Sequence, residues 1–229
     1  MKIIIKRLKF LLKTILRIIY YIFSNEKRYL GLLILILYYR PKKILEIGVY
    51  NGRRSIQMIE AAKVFESNIE YYGFDLFENL SSHILKTEAS KKPTSMKKIR
   101  ELLSNHAQVF LYKGFTKNTL KNFIDENKKI DFVFIDGGHS VDTIKDDYEN
   151  SVKASSNNSI IVFDDYYNPE SIDINKFGSN MIYKELKEHF FKPKFLPFKD
   201  KYYENGKIKA IKMFFVKINK DLLVNFFTS

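Results

Sequence analysis

The 229-residue sequence contains no cysteine. This absence excludes disulfide bonds, zinc sites with thiolate ligands and catalysis by a cysteine nucleophile, and it leaves the redox compartment open. The sequence also has no internal repeat and no low-complexity tract. Its hydrophobic content of 45% and charged content of 28% are typical of a folded globular protein. The length allows one sizeable α/β domain with an appendage, but hardly two full domains.

Acidic residues are scarce: 26 Asp and Glu stand against 39 Lys and Arg, and the formal net charge is +13. A charge of this sign invites a nucleic-acid partner, so its distribution along the chain matters. Residues 1–25 contain six of the basic residues and no acidic one. The other positive charges are spread thinly as lysine, without a dense arginine cluster. We therefore do not expect a nucleic-acid partner.

The sequence has no charge-free apolar run of the roughly 20 residues that span a bilayer. Residues 1–25 also lack the small-residue cleavage site of a secretory signal peptide. Five bases recur in this stretch at steps of three or four residues, which places them in one stripe of a helix opposite an apolar face. They are Lys2, Lys6, Lys9, Lys13 and Arg17.

Such a helix has two interpretations, which the sequence leaves open. It can lie in a membrane interface with its lysines toward anionic headgroups, or it can pack on the domain or on a partner subunit. The first is slightly favoured, and it predicts a cytoplasmic protein that contacts the inner face of the membrane. The following run, 30–39, has no polar face and predicts a buried helix. We therefore divide the chain into an N-terminal helical segment, 1–40, and a domain, 41–229.

From Pro41 onward, short apolar strands alternate with helical stretches. Five strands are predicted, at 44–48, 69–75, 108–114, 130–136 and 159–165. Helices are predicted between them, at 53–66, 95–104, 117–127 and 140–154. After a further helix at about 178–190, two more strands are predicted at 194–198 and 208–218, joined by a turn at 204–207. Repeated βα units of this length predict an α/β fold with a mostly parallel sheet, helices on both faces and a ligand site at the carboxyl ends of the strands.

The first predicted strand ends in a glycine-containing turn, LEIGVYNG. Gly48 lets the chain turn sharply beside a ligand, and Gly52 lets the next helix approach closely. The dinucleotide fingerprint G-x-G-x-x-G is not met, because position 50 is tyrosine and position 53 is arginine, and this counts against NAD. Glu46, two residues before the first glycine, suits a ligand with a positive amino or sulfonium group. A tight βα turn alone would also explain Gly48.

Two further strand ends carry residues that suit a nucleoside. Asp75 follows the second strand, 27 residues after Gly48, where its carboxylate can accept both hydroxyls of a ribose. A solvated loop aspartate is the alternative interpretation. The third strand ends at Gly114, and the neighbouring Phe115 can stack on or cover an adenine.

The most specific feature is a set of aspartates after the fourth and fifth strands. Asp136 lies in the segment IDGGHS, and Asp164 and Asp165 lie in the segment FDDY. At the carboxyl ends of adjacent parallel strands, these carboxylates would repel one another unless a cation or protons neutralise them. A hard divalent ion such as Mg²⁺ satisfies this requirement. Alternatively, one aspartate caps a helix and another lies in a turn.

Five motifs follow one another between residues 44 and 166: EIGxxxG, GFDxFE, KGxxxxTL, DGxHS and DDY. This order resembles the macrocin-type O-methyltransferase family and related class I S-adenosylmethionine-dependent methyltransferases with a D-G-x-H signature. The resemblance implies the Rossmann-like fold of that class, with a seven-stranded sheet whose last strand is antiparallel. It also implies S-adenosylmethionine as the cofactor. We expect methylation of a hydroxyl on a sugar-containing or other small polar acceptor.

The same resemblance implies roles for single residues. Glu46, Gly48 and Asp75 would hold the methionine and ribose parts of the donor. The full set of expected cofactor contacts is Glu46, Gly48, Tyr50, Asn51, Asp75, Leu76, Gly114, Phe115 and Asp136. Asp136, Asp164 and Asp165 would match the metal-binding carboxylates of the metal-dependent members, in which the metal lowers the pKa of the attacking hydroxyl. The expected catalytic residues are His139 and Asp136.

The sequence departs from the macrocin-type pattern after Asp136. Those enzymes usually carry a second acid and a tyrosine where this chain has Gly138, His139 and Ser140. His139 could therefore act as the general base without any metal. Two rival functions stay open: a Rossmann enzyme that uses NAD or a nucleotide sugar, and a catalytically inactive binding protein docked on a membrane.

The other three histidines have no comparable setting. His83, His106 and His189 are expected at the surface or in loops. The polar stretch 79–95 is long for a βα connection, and it is either a lid over the acceptor or a disordered loop.

Overall fold

The structure is a computed structural model that describes residues 2–87, 92–126, 129–188, 192–204 and 207–219. The helices are α1 (Lys2–Phe23), α2 (Arg28–Tyr39), α3 (Arg53–Ala62), α4 (Ser82–Thr87), α5 (Met96–Leu103), α6 (Thr116–Asp125), α7 (Val141–Ala154) and α8 (Asn180–Glu188). The strands are β1 (Lys43–Ile47), β2 (Glu70–Asp75), β3 (Gln108–Lys113), β4 (Ile130–Ile135), β5 (Ser155–Tyr167), β6 (Lys194–Glu204) and β7 (Lys207–Lys217).

The seven strands form one sheet in the order β3-β2-β1-β4-β5-β7-β6. Strands β1 to β5 are parallel, β7 is antiparallel to β5, and β6 is antiparallel to β7. The predicted α/β fold, with a mostly parallel seven-stranded sheet and an antiparallel last strand, is confirmed. The strand order reverses between β1 and β4, and this reversal opens a crevice at their carboxyl ends, where open α/β sheets bind ligands.

Both faces of the sheet are covered, as its apolar parallel strands require. Side chains alternate along β1, so Ile44 packs in one core cluster while Leu45 and Ile47 pack in the other. The first cluster joins the sheet to α1, α2, α3 and α5, and the second joins it to α6, α7 and α8. The cavity described below lies at the edge between these two cores.

The apolar run after residue 30 forms the buried helix α2, as predicted. The helix begins at Arg28, whose backbone N–H donates to Asp200 Oδ1 on β6 at 2.8 Å. It packs against β6 and β7 through side chains such as Leu32, in the same core cluster as Leu196 and Met213. The N-terminal segment and the predicted domain therefore share one hydrophobic core.

Part of the basic stripe of α1 faces α3. Lys13 Nζ lies 2.6 Å from Glu60 Oε1, and Arg17 forms an ion pair with the same buried carboxylate. Four residues after Arg17 on this face, the hydroxyl of the buried Tyr21 donates to Gln57 Oε1 at 2.6 Å. Because these partners all lie on α3, the C-terminal half of α1 is fixed to the domain by polar contacts.

The opposite face of α1 is apolar and exposed. Its exposed side chains include Ile4, Leu8, Leu12, Leu16 and Phe23, with exposed fractions of 63%, 58%, 59%, 58% and 84%. Among the residues that the structure describes, no helix is both long and apolar enough to cross a membrane.

Two strands are longer than the sequence predicts. Strand β5 begins at Ser155 rather than 159, and β6 continues to Glu204 rather than ending at 198. The second half of β6 pairs with β7, from Lys199 opposite Lys212 to Glu204 opposite Lys207. Its charged side chains hide this strand from a hydropathy pattern, because backbone pairing at a sheet edge does not require apolar residues. Within the predicted 204–207 turn, residues 205 and 206 lie outside the described residues.

Candidate active site

A cavity of about 580 Å³ opens at the carboxyl ends of the parallel strands. The sequence-predicted residues on its wall are Gly48, Tyr50, Asp75, Leu76, Gly114, Phe115, Asp136, His139 and Asp165. The wall does not include Glu46, Asn51 or Asp164. The structure thus brings most of the predicted cofactor contacts and the predicted base into one space.

The turn after β1 depends on glycine at its first position. Gly48 has φ +89°, and a Cβ there would lie 1.9 Å from the carbonyl oxygen of Asp136 on the adjacent β4. Tyr50 also has a positive φ of 51°, and its backbone N–H donates to Asp75 Oδ2 at 2.8 Å. The turn is therefore held between the ends of β2 and β4, and it presents backbone to the cavity.

Asp75 organises the next strand end. Its Oδ1 accepts the backbone N–H of Phe77 at 2.9 Å, while its Oδ2 accepts that of Tyr50. A carboxylate has about four lone-pair sites, so each oxygen can still accept a ribose hydroxyl. Beside it on the wall lie Leu76, Gly114 and Phe115, and Phe115 is 48% exposed.

Glu46 is fully buried and does not reach the cavity. It lies on the α3 side of β1, where it accepts hydrogen bonds from Ser55 on α3 and Tyr71 on β2. Burial raises its pKa to about 7, although the bonds from Ser55 and Tyr71 lower it. Its position follows from the alternation along β1, which directs residue 46 to the same face as Ile44. Because its side chain does not line the cavity, the predicted contact between Glu46 and the donor's methionine part stays a prediction.

Asn51 also turns away from the cavity. Its Oδ1 accepts the backbone N–H of Arg53 at 3.0 Å, at the start of α3. This contact is a local turn bond of the kind that short polar side chains make before a helix. Asn51 therefore shapes the turn, and its predicted contact with the cofactor stays a prediction.

The predicted aspartates do lie close together. Asp136 and Asp165 line the cavity, and Asp164 lies behind them. Burial, and then the charges of Asp164 and Asp165, raise the pKa of Asp136 well above its ordinary value. Burial and Asp164 likewise raise the pKa of Asp165, whereas His139, Arg28 and a hydrogen bond from Tyr167 lower it. The repulsion expected from the sequence is therefore present.

The three aspartates fit a divalent metal poorly as they are arranged. Arg28 Nε donates to both oxygens of Asp164, at 2.8 and 3.1 Å, and Asp164 Oδ1 also accepts the backbone N–H of Asp165 at 2.8 Å. These donors occupy the oxygens that a metal would need. In the described part of the chain, no group of three or more His, Cys, Asp or Glu side chains has the spacing of a metal site.

His139 is placed beside a carboxylate. Its Nδ1 lies 3.5 Å from Asp165 Oδ2, and its side chain is 29% exposed at the cavity wall. Asp165 has a left-handed φ of 58°, and its carbonyl oxygen accepts the backbone N–H of Ser179 at 3.0 Å. Next to the histidine, Ser140 caps α7 by accepting the backbone N–H of Thr143 at 3.3 Å. The arrangement places the imidazole of His139 where it can take a proton from a bound molecule.

Several wall residues have no sequence signal. They are Arg28 and Tyr29 at the start of α2, Tyr167 at the end of β5, Tyr202 on β6 and Ile211 on β7. Arg28 and Tyr29 directly precede the apolar run that begins at residue 30. That run predicts a buried helix, but it does not indicate that the start of the helix lies at a ligand site. Tyr202 and Ile211 come from a hairpin that reaches the site only through its pairing beyond β5.

The segment 79–95 contributes to the wall as a lid would. Leu80, Ile84 and Pro93 line the cavity, and the backbone N–H of Thr94 donates to the Tyr50 carbonyl at 2.8 Å. Residues 88–91 of this segment lie outside the described residues.

Of the other three histidines, the structure describes His83 and His106, and neither lines the cavity. His83 is exposed on α4, and His106 has its Nδ1 3.2 Å from Glu60 Oε1 on the α3 side of the sheet. His189 lies outside the described residues.

A family model described as a methyltransferase domain matches residues 45–166, which is more than half of the chain. This span contains the turn at Gly48, Asp75, and the aspartates of β4 and β5. No curated protein matches the sequence significantly.

Solved methyltransferases share the fold. The O-methyltransferase TomG from Streptomyces achromogenes, involved in tomaymycin synthesis and in complex with SAM, superposes with a TM-score of 0.57 at 16% identity, over 81% of this chain and 78% of that chain. An O-methyltransferase from Bacillus cereus in complex with SAH gives 0.56 at 16% identity, over 82% and 79%. The MycE methyltransferase from the mycinamycin biosynthetic pathway, in complex with Mg, SAH and mycinamycin VI, gives 0.50 at 16% identity, over 82% and 48%.

These solved structures share the fold found here, and the match to the family model spans the ends of β1 to β5, which build the cavity. The chain belongs to the methyltransferase-domain family, and by family and fold together it is a class I S-adenosylmethionine-dependent methyltransferase.

Proposed function

We propose that this methyltransferase methylates a hydroxyl oxygen of a sugar-containing or other small polar acceptor, with His139 as the general base. The observation that carries the proposal is the single cavity in which Asp75 and His139 both lie. One end has the features of a nucleoside site, and the other has a histidine beside a carboxylate. This arrangement suits a donor and an acceptor that react with each other.

At the donor end, Asp75 would accept the ribose hydroxyls and Phe115 would cover the adenine. Gly48 and Tyr50 would present their backbone to the methionine part. Both residues have a positive φ and lie on the cavity wall. S-adenosylmethionine supplies an electrophilic methyl group, and its sulfur retains the electron pair of the bond that breaks.

At the acceptor end, His139 would take the hydroxyl proton as the new oxygen–carbon bond forms. Asp165 lies at Nδ1 of the ring, so it would stabilise the imidazolium that results and leave Nε2 to face the acceptor. Positioned general bases of this kind contribute about 10²–10⁴-fold to rates. The remaining rate enhancement would come from holding the acceptor oxygen in line with the methyl group.

The acceptor class is supported by the chemistry of the wall as well as by the sequence resemblance. Tyr29, Tyr167 and Tyr202 line the cavity together with Thr143 and Ile211. Tyrosine presents an apolar ring face and a hydroxyl, which suits a ring that bears several hydroxyl groups. A sugar-containing acceptor would use both.

Magnesium assistance, predicted from the aspartates, is a second version of the same reaction. It stays a prediction, and we propose the version without it because Arg28 already occupies Asp164. If Mg²⁺ were required, chelation would abolish methyl transfer and Mg²⁺ or Mn²⁺ would restore it. If His139 acts as proposed, activity persists in excess chelator.

The proposal is tested by a screen of glycan and small hydroxyl acceptors with labelled methyl donor, with and without Mg²⁺. Transfer of label to a hydroxyl oxygen is expected, and its loss in His139→Ala identifies the base. Titration of the protein with S-adenosylmethionine and with NAD separates this function from a nicotinamide-linked one. Tight donor binding without transfer to any acceptor would favour the catalytically inactive alternative.

We also propose that α1 attaches the protein peripherally to an anionic membrane surface. The support is its exposed apolar face, on which Leu8, Leu12 and Leu16 are each more than half exposed. A helix of this kind lies in the interface with its apolar side toward the acyl chains. Lys6 and Lys9, at the exposed end of the helix, would contact the headgroups, and the pairing of Lys13 and Arg17 with Glu60 would hold the domain at the surface.

A further inference from the structure

Asp136, Asp164 and Asp165 form an acidic cluster that already has a cation beside it. This cation is Arg28, which lies outside the matched family span. Arg28 Nε donates to both oxygens of Asp164, and Nη2 donates to Asp164 Oδ2 at 3.0 Å. Arg28 Nη1 is paired with Asp200 on β6, and the Tyr29 hydroxyl donates to Asp164 Oδ2 at 3.3 Å. One guanidinium therefore joins the start of α2, the end of β5 and β6.

The environment keeps this guanidinium charged. Burial alone would lower the pKa of Arg28, but Asp164, Tyr29 and Asp200 raise it above its ordinary value. A guanidinium has a planar set of donors that matches carboxylates in a fixed geometry. The Arg28 side chain is only 14% exposed, so its ion pairs are largely shielded from solvent.

We infer that Arg28 is the resident cation of the Asp136, Asp164 and Asp165 cluster, in the place where the metal-dependent relatives would hold a divalent ion. Arg28 acts as a positioning residue through the two carboxylates behind the base. It holds Asp164, whose Oδ1 accepts the backbone N–H of Asp165 at 2.8 Å. Asp165 in turn faces His139, so the position of the base depends on a residue of the N-terminal segment.

This inference deepens the proposed function, yet it can be tested without methyl transfer. The probe is Mn²⁺, added to the full-length protein and followed by electron paramagnetic resonance of the free ion. The wild-type protein is expected to bind no Mn²⁺ at the cluster. Arg28→Ala removes the guanidinium from buried carboxylates, so this variant is expected to gain one Mn²⁺ site, with a Kd at least about tenfold below that of any weak surface binding by the wild type.

The controls separate a lost cation from a lost side chain. Arg54→Ala is the matched control variant. The Arg54 side chain is also 14% exposed, and its Cζ lies 3.4 Å from the centroid of the Tyr29 ring. Arg54 forms its ion pair with Glu26 and not with the acidic cluster. It is expected to gain no Mn²⁺ site. Arg28→Lys keeps a positive charge and is also expected to gain none. Adding Asp164→Asn to Arg28→Ala is expected to abolish the gained site.

Two results would overturn the inference. One is a folded Arg28→Ala protein that binds no Mn²⁺. The other is a wild-type protein that binds one Mn²⁺ and loses it in Asp164→Asn, a measurement that holds even if Arg28→Ala does not fold. Because neither result involves methyl transfer, failure here leaves the proposed reaction to be judged by the acceptor screen.

Discussion

Asp75 receives two backbone N–H groups and still has lone pairs for a ligand. In Asp75→Ala we expect the Kd for S-adenosylmethionine to rise about 10- to 100-fold, because hydrogen bonds to charged groups contribute about 1.5–3 kcal/mol. Isothermal titration calorimetry measures this change. Asp131→Ala is the matched control, since Asp131 accepts the backbone N–H groups of Lys42 and Lys43 away from the cavity. An unchanged Kd in Asp75→Ala would remove Asp75 from the donor site.

His139 is expected to affect turnover and not donor binding. In His139→Ala, kcat should fall by about 10²–10⁴-fold because the acceptor proton loses its base. The Kd for S-adenosylmethionine should stay within about twofold, since the donor end is built by other strands. His106→Ala, which alters a histidine near Glu60, should leave both quantities unchanged. A His139→Ala enzyme with wild-type kcat would exclude His139 as the base.

Glu46 makes the stability of the fold depend on pH. Burial raises its pKa from 4.5 to about 7, so between these values the folded chain holds a proton that the unfolded chain releases. The free energy of unfolding should therefore fall as pH rises from about 4.5 to about 7, by on the order of 3 kcal/mol. Glu46→Gln should lose this dependence, whereas Glu101→Gln, on the exposed side of α5, should retain it. Urea unfolding at pH 5 and pH 8 measures the difference. Parallel curves for the wild type and Glu46→Gln would contradict the assignment.

Among the elements, α1 has the clearest unpartnered face. In a Leu8→Glu, Leu12→Glu variant we expect binding to anionic vesicles to weaken at least about 100-fold, because burying each leucine contributes about 1.5–3 kcal/mol. High salt should release the wild type only partly, since Lys13 and Arg17 are paired within the protein. Co-sedimentation with vesicles measures both effects.

Leu102→Glu is the control for this experiment, because Leu102 is 41% exposed but lies on α5. It should bind vesicles like the wild type. Equal sedimentation of all three proteins, or no sedimentation of the wild type, would show that α1 does not attach the protein to membranes.

Elements were predictable where hydropathy changes sharply along the chain. The parallel strands β1, β2, β3 and β4 lie within one residue of their predicted bounds, because each is a short, mostly apolar run between polar stretches of the chain. The second half of β6 was missed, since Lys199 and Lys201 lie at a sheet edge where charge is tolerated. The helix at 30–39 was found, but its start at Arg28 was not, because no side-chain cap marks it.

Over the whole molecule, the part of the site that the sequence reveals is the part built from strand ends. Asp75 ends β2, and Asp136 and His139 lie in the turn after β4, so the rule that parallel strands share one carboxyl edge brings them together. The orientation of Glu46 was open to the same reasoning, through the alternation along β1. The contact between Arg28 and Asp164 was not, because 136 residues separate them and no local pattern links a helix start to a distant strand.

The dependence of the acidic cluster on Arg28 bears on how members of this family are compared. The matched span, residues 45–166, contains Asp136, Asp164 and Asp165, yet it contains neither Arg28 nor its second partner Asp200. Inheritance of the strand-end motifs therefore does not determine what neutralises the aspartates. Two relatives with identical motifs can differ in their need for a metal. The difference would depend on which residues of the preceding helix and of the last hairpin lie beside the aspartates. In this chain, the cation beside the aspartates is supplied by a flank of the matched span and not by its motifs.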